Sequence, residues 1–103
     1  MAEIVWTETA LKDINSIAEY IALDSTYNAK QFVQKIFLAA SKLEKFPNIG
    51  KAVRELSGRD YREILFKRYR IIYRNQFDTI YIISVHHSSR LLENNETFKD
   101  LFE

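Results

Sequence analysis

The side chains most able to do chemistry in this chain of 103 residues are its seven arginines, which all lie between Arg54 and Arg90. The residues before Arg54 carry lysine as their only cation. Arginine presents a planar fork of N–H donors that matches phosphate and carboxylate groups, whereas lysine presents a point charge. The concentration of arginine therefore predicts that this part of the chain contacts negatively charged groups.

The charge of the chain is unevenly distributed along its length. Residues 51–90 hold nine cations and four anions, residues 1–50 hold five and six, and residues 91–103 hold one and four. The net charge of +1 therefore hides a middle segment at +5 and a C-terminal segment at −3. This asymmetry indicates a negatively charged partner for the middle segment, with the acidic C-terminal segment as a competitor for the same surface.

Stabilisation of a developing negative charge would be one use of these cations, and a catalytic site would also require a general base and a general acid. Histidine is the residue type that exchanges protons near neutral pH, and the chain has His86 and His87. Glu55 or Glu63 could serve as a carboxylate base. The candidate cations are Lys51, Arg54, Arg62, Lys67, Arg68, Arg70 and Arg90.

The composition predicts one folded domain, residues 1–103, and excludes several kinds of site. Apolar residues make up 47% of the chain, which is too rich for disorder. The absence of cysteine excludes a disulfide framework, a thiolate metal site and a cysteine nucleophile. No other metal-ligand spacing is visible, so we expect neither a metal nor an organic cofactor. With no signal peptide and no run of about eighteen apolar residues, we expect a cytoplasmic protein without membrane contact.

The first half of the chain predicts one strand and two helices. Glu3–Trp6 alternates and is rich in β-forming residues, and Thr7 or Thr9 then offers an N-cap. Two apolar stripes follow at helical spacing, one through Ala10, Leu11, Ile14, Ile17, Ala18 and Ile21, and one through Ala29, Phe32, Val33, Ile36, Phe37, Ala40, Leu43 and Phe46. The second stripe ends before Pro47, because proline disfavours a helical residue in front of it.

After Gly50 the apolar period changes to two, which predicts strands over residues 53–56, 62–66, 69–74 and 79–86. The expected fold class is α+β. An N-terminal strand precedes an antiparallel hairpin of two helices, which packs on a twisted, mainly antiparallel sheet of about four strands. Residues 91–102 are amphipathic again and predict a short C-terminal helix.

The two faces of the predicted sheet differ in composition. Tyr69, Ile71 and Tyr73 share one face of their strand, which we expect to take the helices. We interpret the other face as exposed and mixed; it carries Arg70, Ile72, Arg74, Ile80, Ile82, Ser84 and His86. Such a face holds more aliphatic side chains than a solvated surface requires, which indicates a partner.

The order of these elements and the motifs on them resemble the ParE/RelE toxins of type II toxin–antitoxin systems, which include plasmid-stabilisation toxins. The resemblance spans residues 3–92. The matching residues are Trp6; Ala10, Leu11, Asp13, Ile14, Ile17, Tyr20 and Ile21; Phe46, Pro47, Gly50 and Lys51; Arg62 and Glu63; Tyr69, Arg70, Ile71, Ile72 and Tyr73; and Val85, His87 and Arg90.

The resemblance implies one of two targets. RelE-like members enter the ribosome and cut mRNA, whereas ParE-like members poison DNA gyrase. A nuclease of this family would have its site at Arg62, Arg70, His87 and Arg90. However, RelE-like members carry a tyrosine shortly after the last arginine, and this chain has none after Tyr81. Another branch pairs a glutamate close after the glycine break with a C-terminal histidine, whereas here Glu55 comes late and the chain continues past His87. The ParE-like reading, inhibition of gyrase by binding, therefore fits better.

The resemblance also implies a cognate antitoxin that wraps the toxin in a hetero-oligomer. We expect target contacts at Lys51, Arg62, Lys67, Arg68 and Arg90. We expect the antitoxin on the mixed face, at Arg70, Ile72, Arg74, Ile80 and Ile82. In the alternative, the mixed face forms a groove that the protein's own Phe98, Leu101 and Phe102 fill. A protein of this fold that has lost toxicity and only binds a partner is the third possibility, beside the gyrase inhibitor and the ribosome-dependent nuclease.

Overall fold

The fold of the chain was obtained as a computed structural model that describes residues 1–102. Two helices pack on a five-stranded sheet of order β1-β5-β4-β3-β2, in which β1 runs parallel to β5 and the other neighbours are antiparallel. The elements are β1 Glu3–Trp6, α1 Glu8–Ala22, α2 Thr26–Ser41, β2 Lys51–Ala52, β3 Arg62–Phe66, β4 Tyr69–Gln76 and β5 Thr79–His87. The predicted α+β fold is confirmed, with five strands in place of about four.

Both helices begin at side-chain caps. The Thr7 hydroxyl oxygen accepts a hydrogen bond from the Ala10 N–H at 3.2 Å, and the hydroxyl donates to the Ile82 carbonyl at 2.7 Å. Thr7 therefore ends β1 and starts α1 while it stays attached to β5. Ser25 caps α2 in the same way, through the N–H of Asn28.

The main core lies between the helix hairpin and one face of the sheet. Ala10 and Ile14 of α1 and the α2 residues Phe32 and Ile36 pack there. The sheet side chains of this core are Ile64, Ile71, Tyr73, Ile80, Ile82 and Val85. Burial of these apolar stripes is the main force that holds the hairpin on the sheet.

The C-terminal segment covers the opposite face of the sheet. Residues 91–102 form two short 3₁₀ turns, Leu92–Asn94 and Lys99–Phe102, in place of the predicted helix. Leu92 and Phe98 are fully buried there. They form a second core cluster with Val53, Leu56 and Ile72. Of the three residues that the alternative places on this face, Phe98 is fully buried and Leu101 is partly buried against the cluster, whereas Phe102 is exposed.

The strand predicted over residues 53–56 was wrong. The strand in this region is β2, Lys51–Ala52, and Arg54–Leu56 forms a 3₁₀ turn. Val53 and Leu56 are both buried and lie three residues apart, which is the spacing at which 3₁₀ side chains superimpose. The turn therefore buries both apolar residues on one side.

The predicted exposed, mixed face was also wrong. Ile72, Ile80 and Ile82 are fully buried, and they lie in different cores: Ile80 and Ile82 beneath the helices, Ile72 beneath the C-terminal segment. The register shows the reason. Ile72 pairs with Ser84 but Tyr73 pairs with Ile82, so β5 carries an extra residue at Ile83. This β-bulge reverses the alternation along β5 and cannot be read from a period of two.

Candidate functional site

Arg70 is the centre of a buried ionic cluster on β4. Its Nε donates to Glu63 at 2.8 Å, and its Nη2 donates to Glu63 at 2.6 Å. Nη1 and Nη2 each donate to one carboxylate oxygen of Glu55 at 2.8 Å. The side chain of Arg70 is only 10% exposed. The hydrogen bonds show that two carboxylates of the protein itself occupy its guanidinium.

The cluster shifts the proton affinities of its members. Hydrogen bonds from Arg70 lower the pKa of the Glu55 carboxyl to about 2, against a smaller opposing effect of burial. Hydrogen bonding to Glu55 in turn raises the pKa of Arg70 above its ordinary value. Both partners stay charged at neutral pH, and Nε, Nη1 and Nη2 of Arg70 all donate to carboxylates of the protein itself.

Arg62 holds the loop that follows Pro47. Its Nη1 donates to the carbonyl of Gly50 at 2.8 Å and to that of Asn48 at 3.3 Å. The N–H of Gly50 donates to the Tyr73 hydroxyl at 2.9 Å, and burial raises the pKa of that phenol. A Cβ at Gly50 would lie 2.6 Å from the Tyr73 hydroxyl and 2.7 Å from the Glu63 carbonyl, so only glycine fits the loop against the sheet.

The two histidines make local contacts. His87 Nδ1 accepts from the N–H of Ser89 at 3.1 Å, which closes the turn after β5. Asn95 has its orientation set by Thr97, whose N–H donates to Oδ1. The amide nitrogen of Asn95 therefore donates to His86 Nδ1. Because Nδ1 accepts, Nε2 of His86 carries the proton and donates to the carbonyl of Arg90 at 2.9 Å. His86 thus ties the C-terminal segment to the sheet.

An open cleft of about 560 Å³ lies beside the Arg70 cluster. Lys51 and Arg54 line it together with Glu55, Arg70 and Ser88. Lys51 and Arg54 are exposed and form no salt bridge with any residue of the described chain. Arg54 was not among the predicted target contacts; it lies at the cleft because Val53 and Leu56 turn inward on either side of Arg54 and Glu55.

The predicted target-binding residues do not form one site. Lys51 lies in the cleft beside Arg70, whereas Lys67 and Arg68 line a second cleft, between α2 and the turn from β3 to β4. Arg90 is exposed and lines neither of them. Arg62 is half-buried, and its Nη1 is engaged with the loop carbonyls.

The predicted antitoxin-binding residues are mostly enclosed. Arg70 is paired, and Ile72, Ile80 and Ile82 are fully buried. Arg74 is half-buried, and its guanidinium stacks on the Tyr61 ring at 4.9 Å. These side chains form no open groove, because the C-terminal segment covers Ile72 and the helices cover Ile80 and Ile82. Sequence periodicity missed this because it carries no information on which segment covers a face.

The two helices of the described chain are too short, or too polar, to cross a membrane. Within residues 1–102, no three histidine, cysteine, aspartate or glutamate side chains lie close enough together to hold a metal ion.

A family match identifies the family of this chain, and one sequence relative and one solved structure are similar to it. Residues 4–92 match the family described as the ParE toxin of type II toxin-antitoxin system, parDE. Toxin RelE2 of Caulobacter vibrioides is 30% identical over 92 residues, which are 88% of this chain and 100% of that protein. A solved structure described as the chromosomal ParDE TA system from P. aeruginosa shares the fold. Its TM-score is 0.72 at 23% identity, over 84% of this chain and 96% of that chain. This chain belongs to the ParE toxin family of type II toxin–antitoxin systems.

Proposed function

We propose that this protein is a toxin that inhibits DNA gyrase by binding to it, without cleaving RNA. The observation that carries the proposal is the state of the Arg70 cluster. Glu55, the more exposed of the two carboxylates that line the open cleft, accepts two hydrogen bonds from Arg70, and its pKa falls to about 2.

A carboxylate in this state is a poor general base. Proton abstraction is most efficient when the pKa of the base lies near the working pH, and Glu55 lies far below neutrality. His87 is engaged with Ser89 at the end of β5, and Arg62 holds the loop carbonyls. Three of the four residues that the family resemblance offers for RNA cleavage, Arg62, Arg70 and His87, thus have structural partners, which supports binding over hydrolysis.

The exposed cations beside this cluster support an acidic target surface. Lys51 and Arg54 face the cleft, and Arg90 is exposed on the turn after β5. Exposed arginine and lysine without internal partners increase the rate and specificity of association with a complementary negative surface. We propose that these three residues contact gyrase.

We propose further that a cognate antitoxin neutralises the protein in a hetero-oligomer. The solved relative of the same fold is described as a ParDE toxin–antitoxin system, which supports such a partner here. Because the C-terminal segment covers Ile72 and the helices cover Ile80 and Ile82, the antitoxin must either displace one of these layers or bind elsewhere. Inhibition of gyrase and neutralisation by an antitoxin both imply that the protein acts in the cytoplasm.

Ribosome-dependent mRNA cleavage is the second candidate. It is favoured by the relative named Toxin RelE2 and by the presence of Lys51, Arg54 and Glu55 in one cleft. In this case substrate would have to displace Arg70 from Glu55 before the carboxylate could accept a proton.

Inducible expression without an antitoxin tests the proposal. We expect double-strand DNA breaks and an SOS response before protein synthesis slows. The variant Lys51→Gln/Arg54→Gln should lose most of this toxicity, whereas the control Lys30→Gln/Arg59→Gln removes the same charge from exposed positions outside the cleft and should retain it. Immediate translation arrest with intact DNA would favour the nuclease. Unaffected growth would favour a protein that only binds a partner.

A further inference from the structure

The second cleft of the structure is cationic and is distinct from the Arg70 cluster. It has a volume of about 490 Å³ and lies between the start of α2 and the turn from β3 to β4. Lys35, Lys67 and Arg68 line it, together with the apolar side chains of Ile21 and Phe32. No aspartate or glutamate of residues 1–102 belongs to its lining. The cleft therefore combines three positive charges with an apolar wall.

These three cations have no acidic partner within the described chain. None of them takes part in any of its salt bridges, in contrast to Arg70. All three side chains are exposed. Their charge is available to a ligand. A carboxylate of a ligand placed among them would accept hydrogen bonds that no carboxylate of residues 1–102 accepts.

The backbone positions two of these cations rigidly. Phe66 pairs with Tyr69, so Lys67 and Arg68 form a two-residue turn, and Lys67 has a φ of 53° in the left-handed region. Glycine or asparagine is the usual residue in such a position, and lysine there is strained. The N–H of Ser88 donates to the Arg68 carbonyl at 2.7 Å and ties the turn to the end of β5.

We infer that this cleft is a docking site for an acidic peptide segment of a protein partner, with carboxylates on Lys35, Lys67 and Arg68 and an apolar side chain against Ile21 and Phe32. The absence of acidic lining residues and the apolar wall both match such a segment. This site goes beyond gyrase inhibition, since it lies apart from Lys51 and Arg54 and requires no particular toxin target.

The aromatic residues favour a peptide over single-stranded nucleic acid. Binding of successive bases requires several exposed aromatic rings. Tyr69 is packed edge-on against Phe32 and against His87, each with ring centroids 5.3 Å apart. Tyr27 is the one aromatic ring of the described lining that is mostly exposed, at 68%. A single ring can cover one apolar side chain but does not form a platform for a run of bases.

Fluorescence anisotropy with the whole chain tests the inference. The probe is a short fluorescein-labelled peptide in which aspartate pairs flank a leucine. We expect saturable binding that weakens about tenfold in Lys67→Gln/Arg68→Gln, because two exposed ion pairs are lost. The control Lys30→Gln/Arg59→Gln removes the same charge away from the cleft and should bind as the unmodified protein does. The amide resonances of Gln31, Lys67 and Arg68 should shift on titration.

Four results would overturn the inference. The aspartate peptide could fail to bind, or its asparagine counterpart could bind equally well. The two double variants could weaken binding to the same extent, which would indicate unspecific attraction to net charge. Oligothymidylate could bind more tightly than the peptide and compete with it at the same resonances, which would assign the cleft to single-stranded nucleic acid. Gyrase inhibition is measured separately, so none of these results bears on the proposed toxin activity.

Discussion

At the scale of single residues, the arginines divide by what their guanidinium groups contact. Arg70 is bound by Glu55 and Glu63, and Arg62 by loop carbonyls, whereas Arg54 and Arg68 are exposed. The arginine content predicts contacts with negatively charged groups. For Arg70 and Arg62, however, the acceptors are carboxylates and carbonyls of the protein itself. Residue type predicts the chemistry of a side chain and not its partner.

Replacement of Arg70 by methionine should destabilise the protein strongly. Arg70→Met retains much of the side-chain volume but leaves Glu63, which is 4% exposed, as a buried charge without its partner. We expect the free energy of unfolding to fall by about 3–5 kcal/mol. Urea unfolding checks this value. Arg68→Met, at an exposed position, is the control and should change stability little; equal stability of the two variants would show that the cluster has no structural role.

The depressed pKa of Glu55 makes stability depend on acid pH. Its folded-state pKa of about 2 lies below the ordinary value of 4.5, so the stabilisation is complete above pH 4.5 and is lost as the pH falls toward 2. With 36% of the side chain exposed, we expect a contribution on the order of 1 kcal/mol. In Glu55→Gln the difference in unfolding free energy between about pH 7 and about pH 2 should shrink by that amount. Glu93→Gln, at an exposed position, should keep the full difference; an identical pH profile for Glu55→Gln would contradict the cluster geometry.

At the scale of elements, the helices and most strands could be predicted because their signals are local. Apolar spacing and the Thr7 cap place α1 and α2, and Arg62–Phe66 matches β3 in full. The failures concern non-local facts. The bulge at Ile83 depends on the pairing of β4 with β5, and the burial of Ile72 depends on where residues 91–102 pack. Pairing register and coverage are set by tertiary contacts, which no single-sequence period contains.

The turn between β3 and β4 should become more stable when Lys67 is replaced by glycine. Lys67 has a φ of 53°, where a side chain is strained, whereas Arg68 lies outside the left-handed region. We expect Lys67→Gly to raise the unfolding free energy by about 0.5–1 kcal/mol and Arg68→Gly to lower it by a similar amount. Urea unfolding of the two variants gives the signs. If both variants lost stability equally, the turn would not hold Lys67 under strain.

The C-terminal segment should depend on Phe98 for its attachment. Phe98 is fully buried and stands edge-on to Tyr61 at 5.6 Å between ring centroids. Phe98→Ala should lower the free energy of unfolding by about 3–5 kcal/mol, or by the whole docking free energy of the C-terminal segment if that is smaller. Faster amide hydrogen exchange over residues 92–102, measured with urea unfolding, distinguishes local release from global loss. Phe77→Ala, at a fully exposed turn residue, is the control; an effect no larger than that of the control would mean that the segment does not cover Ile72.

At the scale of the whole molecule, five of the nine cations of residues 51–90 line one of two separate clefts. One lies beside the Arg70 cluster with Lys51 and Arg54, and the other lies between α2 and the β3–β4 turn with Lys67 and Arg68. The helix hairpin and the C-terminal segment cover opposite faces of the sheet. A toxin with two separate cationic sites can contact its target on one surface and an acidic partner segment on another. We therefore expect substitutions in one cleft to change toxicity and substitutions in the other to change partner affinity.

The central claim, gyrase binding without RNA cleavage, is tested most directly with purified components. The protein is added to DNA gyrase, ATP and supercoiled plasmid, and in parallel to translating ribosomes programmed with a defined mRNA. We predict that linear DNA accumulates as trapped gyrase–DNA cleavage complexes and that the mRNA stays intact. Cleavage of the mRNA with no effect on gyrase would contradict the claim and would assign the cleft at Lys51 and Arg54 to ribosome-dependent RNA hydrolysis.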